Sequence, residues 1–240
     1  MRPGGVQRAA AAWAACAFLL TALSACGGDR SGGTGAGGGA AARATAPSAR
    51  IPDVGDRWQR RIPAASRQVV AVYGDGKDSA NATVVFYAKR GRLWERVHGW
   101  PGHNGKKGWT ADHTLGDERS PVGVFTLSDA GGVLADPGTR LPYTRSADYE
   151  VPRWWERSHW HDFDYVIAID YNRVPGNPPD DPTRPEGEEK GGGIWLHLDH
   201  GSGTSACVSM SRPAMEYLLR TLDPAGHPVV LMGDRAALKS

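Results

Sequence analysis

Ile194-Trp-Leu-His-Leu-Asp-His-Gly-Ser-Gly-Thr-Ser-Ala-Cys-Val-Ser-Met210 reads as a short apolar strand, a glycine-rich turn and the start of a second ordered segment. Alternate side chains of a strand share a face, so Ile194, Leu196 and Leu198 point into a core while His197 and Asp199 point the other way. His197 then faces whatever Cys207 approaches from across the turn. A histidine and a cysteine brought together in this way are the minimal parts of a thiol nucleophile with its base. A hydrogen bond between them would give a low-pKa thiolate. The small residues Gly203 to Ala206 let successive backbone N–H groups converge on one point, as an acyl-transfer oxyanion requires. A core histidine, a buried thiol and a serine-rich turn without a role are the plain alternatives.

Cysteine usage favours a reactive thiol. The 240-residue chain has three cysteines, Cys16, Cys26 and Cys207. Arg2 and Arg8 accompany an apolar run from Ala9 to Leu23 that is too short to span a bilayer comfortably. This is the layout of a secretory signal peptide over residues 1–25. Leu23-Ser-Ala-Cys26 resembles the bacterial lipobox, which implies that Cys26 receives a diacylglycerol and anchors the chain to the outer face of the cell membrane. From Gly27 to Arg50 no aliphatic residue is larger than alanine. Residues 26–62, including a transitional stretch with Trp58, therefore read as a flexible tether, and residues 63–240 as one domain. With Cys16 removed and Cys26 lipidated, Cys207 is the one thiol left. An odd cysteine in an exported protein reads as reactive, a small buried hydrophobe being the alternative.

Val69-Val-Ala-Val-Tyr73 and Thr83-Val-Val-Phe-Tyr-Ala-Lys89 are β-branched and aromatic, and Leu93–Val97 alternates in the same way, which predicts three antiparallel strands. Gly99–Gly116 reads as loop, Gly123–Leu127 as a strand entered through Ser120-Pro121, and Tyr165–Ile169 as a strand buried on both faces. Val174–Gly193, rich in proline, glycine and acids, is long for a plain connection and is expected to cover the cleft as a lid. Ser211 as N-cap and Pro213 in the first turn open the one clear helix, with Met215, Leu218, Leu219 and Leu222 on one face. Val229–Met232 forms a last strand. The result is a mainly β domain with one or two short helices.

A net charge of +2 without a basic run or an aromatic-interleaved patch argues against a nucleic-acid partner. His197, His200 and Cys207 could ligate zinc, with His159 or His161 completing the set. A lone cysteine without a C-x-x-C pair, and histidines three apart on a strand, fit that poorly, so no metal is expected. His98, His103, His113 and His227 read as solvated. The tryptophans read as core, some of them available to line a glycan groove.

Gly193-Ile-Trp-Leu-His-Leu198 followed by Thr204-Ser-Ala-Cys-Val-Ser-Met210 resembles the signature of the L,D-transpeptidase catalytic domain (YkuD-like) in its actinobacterial form. Gly102-His-Asn-Gly105 and Gly116-Asp-Glu-Arg-Ser-Pro-Val-Gly-Val-Phe125 are similar to two further blocks of that family, and Tyr165–Asn172 to its strand ending in Tyr-Asn. The similarity runs from Val69 to Met232. It implies a β-sandwich-like catalytic fold without a cofactor, acting outside the membrane on peptidoglycan stem peptides. In that family the cysteine attacks the carbonyl between a diamino acid and the D-Ala that follows. An amine from a neighbouring stem then resolves the thioester. Carried onto this sequence, Cys207 is the nucleophile and His197 the general base. The backbone carbonyl of Leu198 orients the histidine, with the Asp199 side chain as the alternative. The N–H groups of Cys207 and Ala206, in the turn with Ser205, form the oxyanion hole.

The chain departs from the family's pattern at three positions. Ser205 stands where a second histidine is usual, Ala206 where a glycine is, and Ser209 where an arginine often is. The last bears on recognition of an anionic stem peptide, and Ala206 on the shape of the oxyanion turn. The short connection from His197 to Cys207 suggests an open cleft. The expected protein is a monomeric, lipid-anchored, extracytoplasmic cell-wall transpeptidase. Its rivals are an L,D-carboxypeptidase or endopeptidase hydrolysing the same thioester, and a catalytically weak peptidoglycan-binding module.

Overall fold

The β-branched runs that begin at Val69 and Thr83 alternate with period two, so each sends side chains to both sides of a sheet. Val70, Val72, Val84 and Phe86 enter one core, while Val69, Ala71, Tyr73, Val85 and Tyr87 enter a second on the opposite face. The computed structural model describes residues 46–240. The signal peptide and lipobox read from the sequence, Cys26 included, lie outside the described residues. Among the described residues no helix is long and apolar enough to cross a membrane.

In chain order the regular elements are α1 (Asp56–Gln59), β1 (Gln68–Gly74), β2 (Asn81–Arg90), β3 (Leu93–His103), β4 (Trp109–Thr110), β5 (Ser120–Pro121), β6 (Gly123–Thr126), β7 (Ala130–Gly132), β8 (Tyr143–Arg145), β9 (Val166–Ala168), β10 (Trp195–Leu198), β11 (Val208–Met210), α2 (Arg212–Thr221), β12 (Val229–Asp234) and α3 (Arg235–Lys239). Ten strands form one mixed sheet in the order β6-β12-β1-β2-β3-β11-β10-β9-β7-β8, and β4 pairs with β5. The fold is mainly β with few short helices, as expected.

The first core is closed by α2, which lays Ala214, Met215, Leu218 and Leu219 onto the sheet. Burying a side chain of leucine size contributes about 1.5–3 kcal/mol, so this face holds the helix. Its N-terminal Ser211 makes no capping hydrogen bond through its side chain. The second core is closed by Ile51, Val54 and Trp58 together with Leu238 of α3. Trp58 Nε1 donates to the Ala237 carbonyl at 2.7 Å, and Ser48 pairs with Trp94. The folded unit thus begins well before residue 63, where the sequence suggested a tether. Three apolar residues scattered among polar and arginine neighbours carry too little periodicity to show this.

β3 runs to His103, beyond the strand expected to end near Val97. Gly102 reads as loop in sequence, yet a Cβ there would lie 2.5 Å from the Ser209 carbonyl oxygen. Glycine at this position serves the close approach of β11 to β3, not a turn.

Candidate active site

β10 and β11 run parallel, with Leu196 beside Val208 and His197 beside Ser209. Cys207 lies two residues before Ser209, so continuing the strand's alternation puts its side chain on the face shared by Ser209 and His197. Ile194, Leu196 and Leu198 pack into the first core. His197 is also buried, 3% exposed, with the Phe163 ring edge-on at 5.2 Å. Both His197 and Cys207 line a cleft of about 670 Å³.

His197 Nδ1 lies 2.8 Å from the Leu198 carbonyl oxygen. A carbonyl only accepts, so Nδ1 carries the proton and Nε2 of the neutral ring keeps a free lone pair. Burial lowers the His197 pKa to about 4, although the Asp162 carboxylate and the Leu198 carbonyl both favour the protonated ring. Burial likewise pushes the Cys207 thiol up to about 11, even though the Trp195 N–H donates to Sγ at 3.4 Å. The thiol donates to the Gly193 carbonyl at 3.7 Å, and no hydrogen bond joins Sγ to His197. At rest the thiol and the imidazole, which line one cleft, are therefore both neutral. The low-pKa thiolate read from the sequence is not the resting form, because desolvation penalises both ions.

Asp199 makes no hydrogen bond to His197. Burial raises its pKa, but donation from Ser209 Oγ at 2.7 Å and a contact of 2.8 Å with His103 Nδ1 outweigh this and hold the carboxyl below its ordinary range. The Leu198 carbonyl, not Asp199, is what orients the ring. Ser209 is fully buried and ties Asp199 to β11.

The turn before the cysteine is held from below. Thr204 N–H donates to the Asn104 carbonyl at 2.9 Å, and Lys106 N–H to the Thr204 carbonyl at 2.8 Å. Ser120 Oγ accepts from Gly105 N–H at 2.9 Å and donates to the Ala206 carbonyl at 2.6 Å. Thr204 Oγ1 donates to the Cys207 carbonyl, also at 2.6 Å. In a trans peptide the N–H points opposite to the carbonyl, so drawing the Ala206 carbonyl toward Ser120 turns the Cys207 N–H away from it. Among the described residues, no backbone carbonyl accepts from the N–H of Ala206 or Cys207. Among the described residues the non-glycine ones at positive φ are Asp53, Glu118, Asn172 and His227, so Ala206 sits where an L-residue fits without strain. Ser205 is exposed beside it on the cleft. Thr204 reads in sequence only as a small residue of the turn, and Ser120 only as the entry to a strand. The signal that could have found Ser120 is its place inside the Gly116–Phe125 block.

The far wall comes from the segment that carries Trp154, Trp155, His159 and Phe163. Trp154 is 83% exposed. The expected lid is not over the cleft: of the Val174–Gly193 loop, only Gly193 lines it. Asn172, at φ 43°, gathers that loop by donating to the Gly187 and Gly191 carbonyls and accepting from Glu186 N–H. Trp195 Nε1 donates to the Pro179 carbonyl. Two histidines read as solvated are engaged instead: His113 is buried 2.9 Å from Asp117, and His103 sits on Asp199. His159 and His200 converge on the buried carboxylate of Asp162, a residue the sequence did not flag.

The sequence matches the YkuD family, the L,D-transpeptidase catalytic domain, over residues 66–231. Bd1075 of Bdellovibrio bacteriovorus is a similar solved structure, with a TM-score of 0.41 at 17% identity, over 78% of this chain and 53% of that one. The helical cell shape determining protein Pgp2 from Campylobacter jejuni has a TM-score of 0.41 at 15% identity, over 70% of this chain and 47% of that one. The chain thus spans about half the length of the solved structures it matches. No match is found among curated proteins. The family match covers well over half of the sequence, including the whole His–Cys stretch, and the chain belongs to the L,D-transpeptidase catalytic domain family.

Proposed function

We propose that this protein is a cell-wall L,D-transpeptidase that works through a Cys207 thioester on peptidoglycan stem peptides, outside the membrane and tethered by a lipid on Cys26. The observation that carries the reading is the fixed tautomer of His197. Its Nδ1–H is committed to the Leu198 carbonyl, which leaves Nε2 as a base on the face that Cys207 shares.

Sγ of Cys207 attacks the carbonyl carbon between the diamino acid and the terminal D-Ala while His197 Nε2 takes the thiol proton. The oxyanion is held by the N–H groups of Cys207 and Ala206, donors of a kind worth about 3–4 kcal/mol each. The imidazolium returns its proton to the D-Ala nitrogen as the C–N bond breaks, leaving a thioester. An amine of a neighbouring stem then attacks, its proton passes to Nε2, and sulfur leaves and is reprotonated by the ring. Burial disfavours the imidazolium, and the Leu198 carbonyl and the Asp162 charge offset part of that penalty.

A carbapenem should acylate the wild-type protein and not Cys207→Ala, as read by intact-protein mass spectrometry. An unmodified wild-type mass would sink the reading. Incubation with a tetrapeptide muropeptide separates the outcomes of the second step: cross-linked dimer means transpeptidation, and free tripeptide alone means hydrolysis.

A further inference from the structure

Three side chains meet on the far side of the cleft, and of these only the charge of Asp162 enters the chemistry above. His159 ends the short helical turn Arg157–His159, Asp162 follows it, and His200 comes two residues after β10. Asp162 Oδ2 lies 2.9 Å from His159 Nδ1 and 3.1 Å from His200 Nδ1, and one ligand atom from each residue lies within 4.8 Å of the others. The two imidazole rings are 4.1 Å apart between centroids.

His200 is the anomaly. Its side chain is only 5% exposed, and neither ring nitrogen has a hydrogen-bond partner among the described residues. The contact with Asp162 is short but not aligned as a hydrogen bond. A buried polar nitrogen left unpaired costs about 1–3 kcal/mol, and such groups call for an explanation.

We propose that His159, Asp162 and His200 form a binding site for a borderline divalent transition-metal ion, zinc being the fitting choice, with one coordination position open to the cleft. Two imidazoles and one carboxylate are the donor set zinc takes in exchangeable, three-ligand sites, where water or an anionic oxygen fills the fourth position. The donor spacings need only small adjustment to surround an ion at roughly 2.0–2.1 Å. Ligand orientation is set in advance: Asp162 N–H donates to the His159 carbonyl at 3.0 Å, and the Asp162 carbonyl accepts from Leu198 N–H at 3.0 Å. All three residues border the 670 Å³ cleft, which supplies the entry path. The site excludes the nucleophile and its base. His197 has Nδ1 engaged by Leu198, and its ring centroid is 6.4 Å from that of His200. This differs from the zinc arrangement weighed from sequence, which drew on Cys207 and His197.

The test is calorimetric titration of Zn²⁺ into the metal-stripped full-length chain, alongside the visible spectrum of the Co²⁺-loaded form. Neither readout depends on catalysis. One equivalent should bind to wild type and equally to Cys207→Ser, and the cobalt spectrum should lack a thiolate charge-transfer band. His200→Ala and His159→Ala should each weaken binding by roughly a hundredfold, at or above what loss of an outer-shell partner costs. His159 is partly exposed, so its variant decides the matter if His200→Ala fails to fold by circular dichroism. No binding to wild type, binding lost in Cys207→Ser, or undiminished binding in a folded His159→Ala would each overturn the proposal.

Discussion

On one side of the cleft the backbone is held by hydrogen bonds from two neighbouring segments and from its own Thr204 hydroxyl; on the other, rings lean on rings. The Thr204–Cys207 turn is fastened through Asn104, Lys106, Ser120 and the Thr204 hydroxyl. Across from it, Trp154 meets Trp155 edge-on at 6.1 Å, Trp155 meets His159 at 5.7 Å, and Arg153 and Arg157 stack on Trp160. Hydrogen bonds fix atoms closely, as a nucleophile and its oxyanion donors need, because small misplacement of reacting groups costs orders of magnitude in rate. Aromatic edge contacts, worth about 0.5–1.5 kcal/mol each, tolerate displacement and suit the gripping of a ligand. Under the proposed function, the difference puts chemistry on the first wall and recognition on the second.

The sharpest break of that division is Cys207→Ala. Turnover of muropeptides should fall by roughly four orders of magnitude or more, as when a covalent nucleophile is deleted elsewhere. The thermal midpoint should hold or rise, since the half-buried thiol has only weak contacts with the Trp195 N–H and the Gly193 carbonyl to lose. A variant that kept even a tenth of the activity would remove the thioester. Ser120→Ala tests the support beneath the nucleophile. It strips the Gly105 N–H and the Ala206 carbonyl of a shared, fully buried partner, at about 1–3 kcal/mol. If the hydroxyl aims the oxyanion donors, kcat should drop about 10- to 100-fold with KM nearly unchanged. A drop in stability with wild-type kcat would make Ser120 merely structural.

Whether a feature was legible depended on whether its cause is local. β1, β2 and α2 announce themselves because period-two and i, i+3, i+4 patterns are written within a few residues. His197 and Cys207 stand out by residue type. Ser120 does not, because its meaning lies in a contact with Ala206, 86 residues away. Gly102 looked like a turn for the same reason: only the crossing of β11 makes glycine necessary there. The Tyr171-Asn172 pair was seen as a strand end. Its work of gathering the 174–193 loop, through the Tyr171 hydroxyl on Lys190 and the Asn172 amide, could not be read from spacing. Asp162 stands beside Asp164 in a loop of tryptophans and histidines whose order carries no period, so nothing local marks it.

A neutral resting pair makes a different pH signature from an ion pair. With the His197 pKa near 4, kcat/KM should be flat from about pH 5 upward and fall about tenfold per unit below 4. A preformed thiolate–imidazolium pair would instead add a descending alkaline limb where the imidazolium loses its proton. Stability carries the same mark. His197 titrates near 6.5 when unfolded and near 4 when folded, so between those values the unfolded chain binds more protons. Stability contributed by the neutral ring is present above pH 6.5, falls as pH drops through the window and is lost below about 4. The loss is on the order of 3 kcal/mol, and denaturant midpoints at pH 7 and pH 4 should lie closer together in His197→Gln than in wild type.

The smallest effect probes the recognition wall. Trp154 leaves 83% of its surface to solvent beside the cleft, an unusual exposure for so large an apolar ring. Removing it costs the fold little, because most of its surface is already in water and it meets Trp155 edge-on. If the wall grips substrate, Trp154→Ala loses one aromatic contact, which at about 0.5–1.5 kcal/mol corresponds to a KM raised roughly two- to tenfold. The acylation rate at saturating substrate should stay at the wild-type value, since the turn that aims Sγ is untouched. A fall in kcat with KM unchanged would mean that the aromatic wall positions the reacting carbonyl, and the separation between a fixed catalytic side and a yielding binding side would not hold.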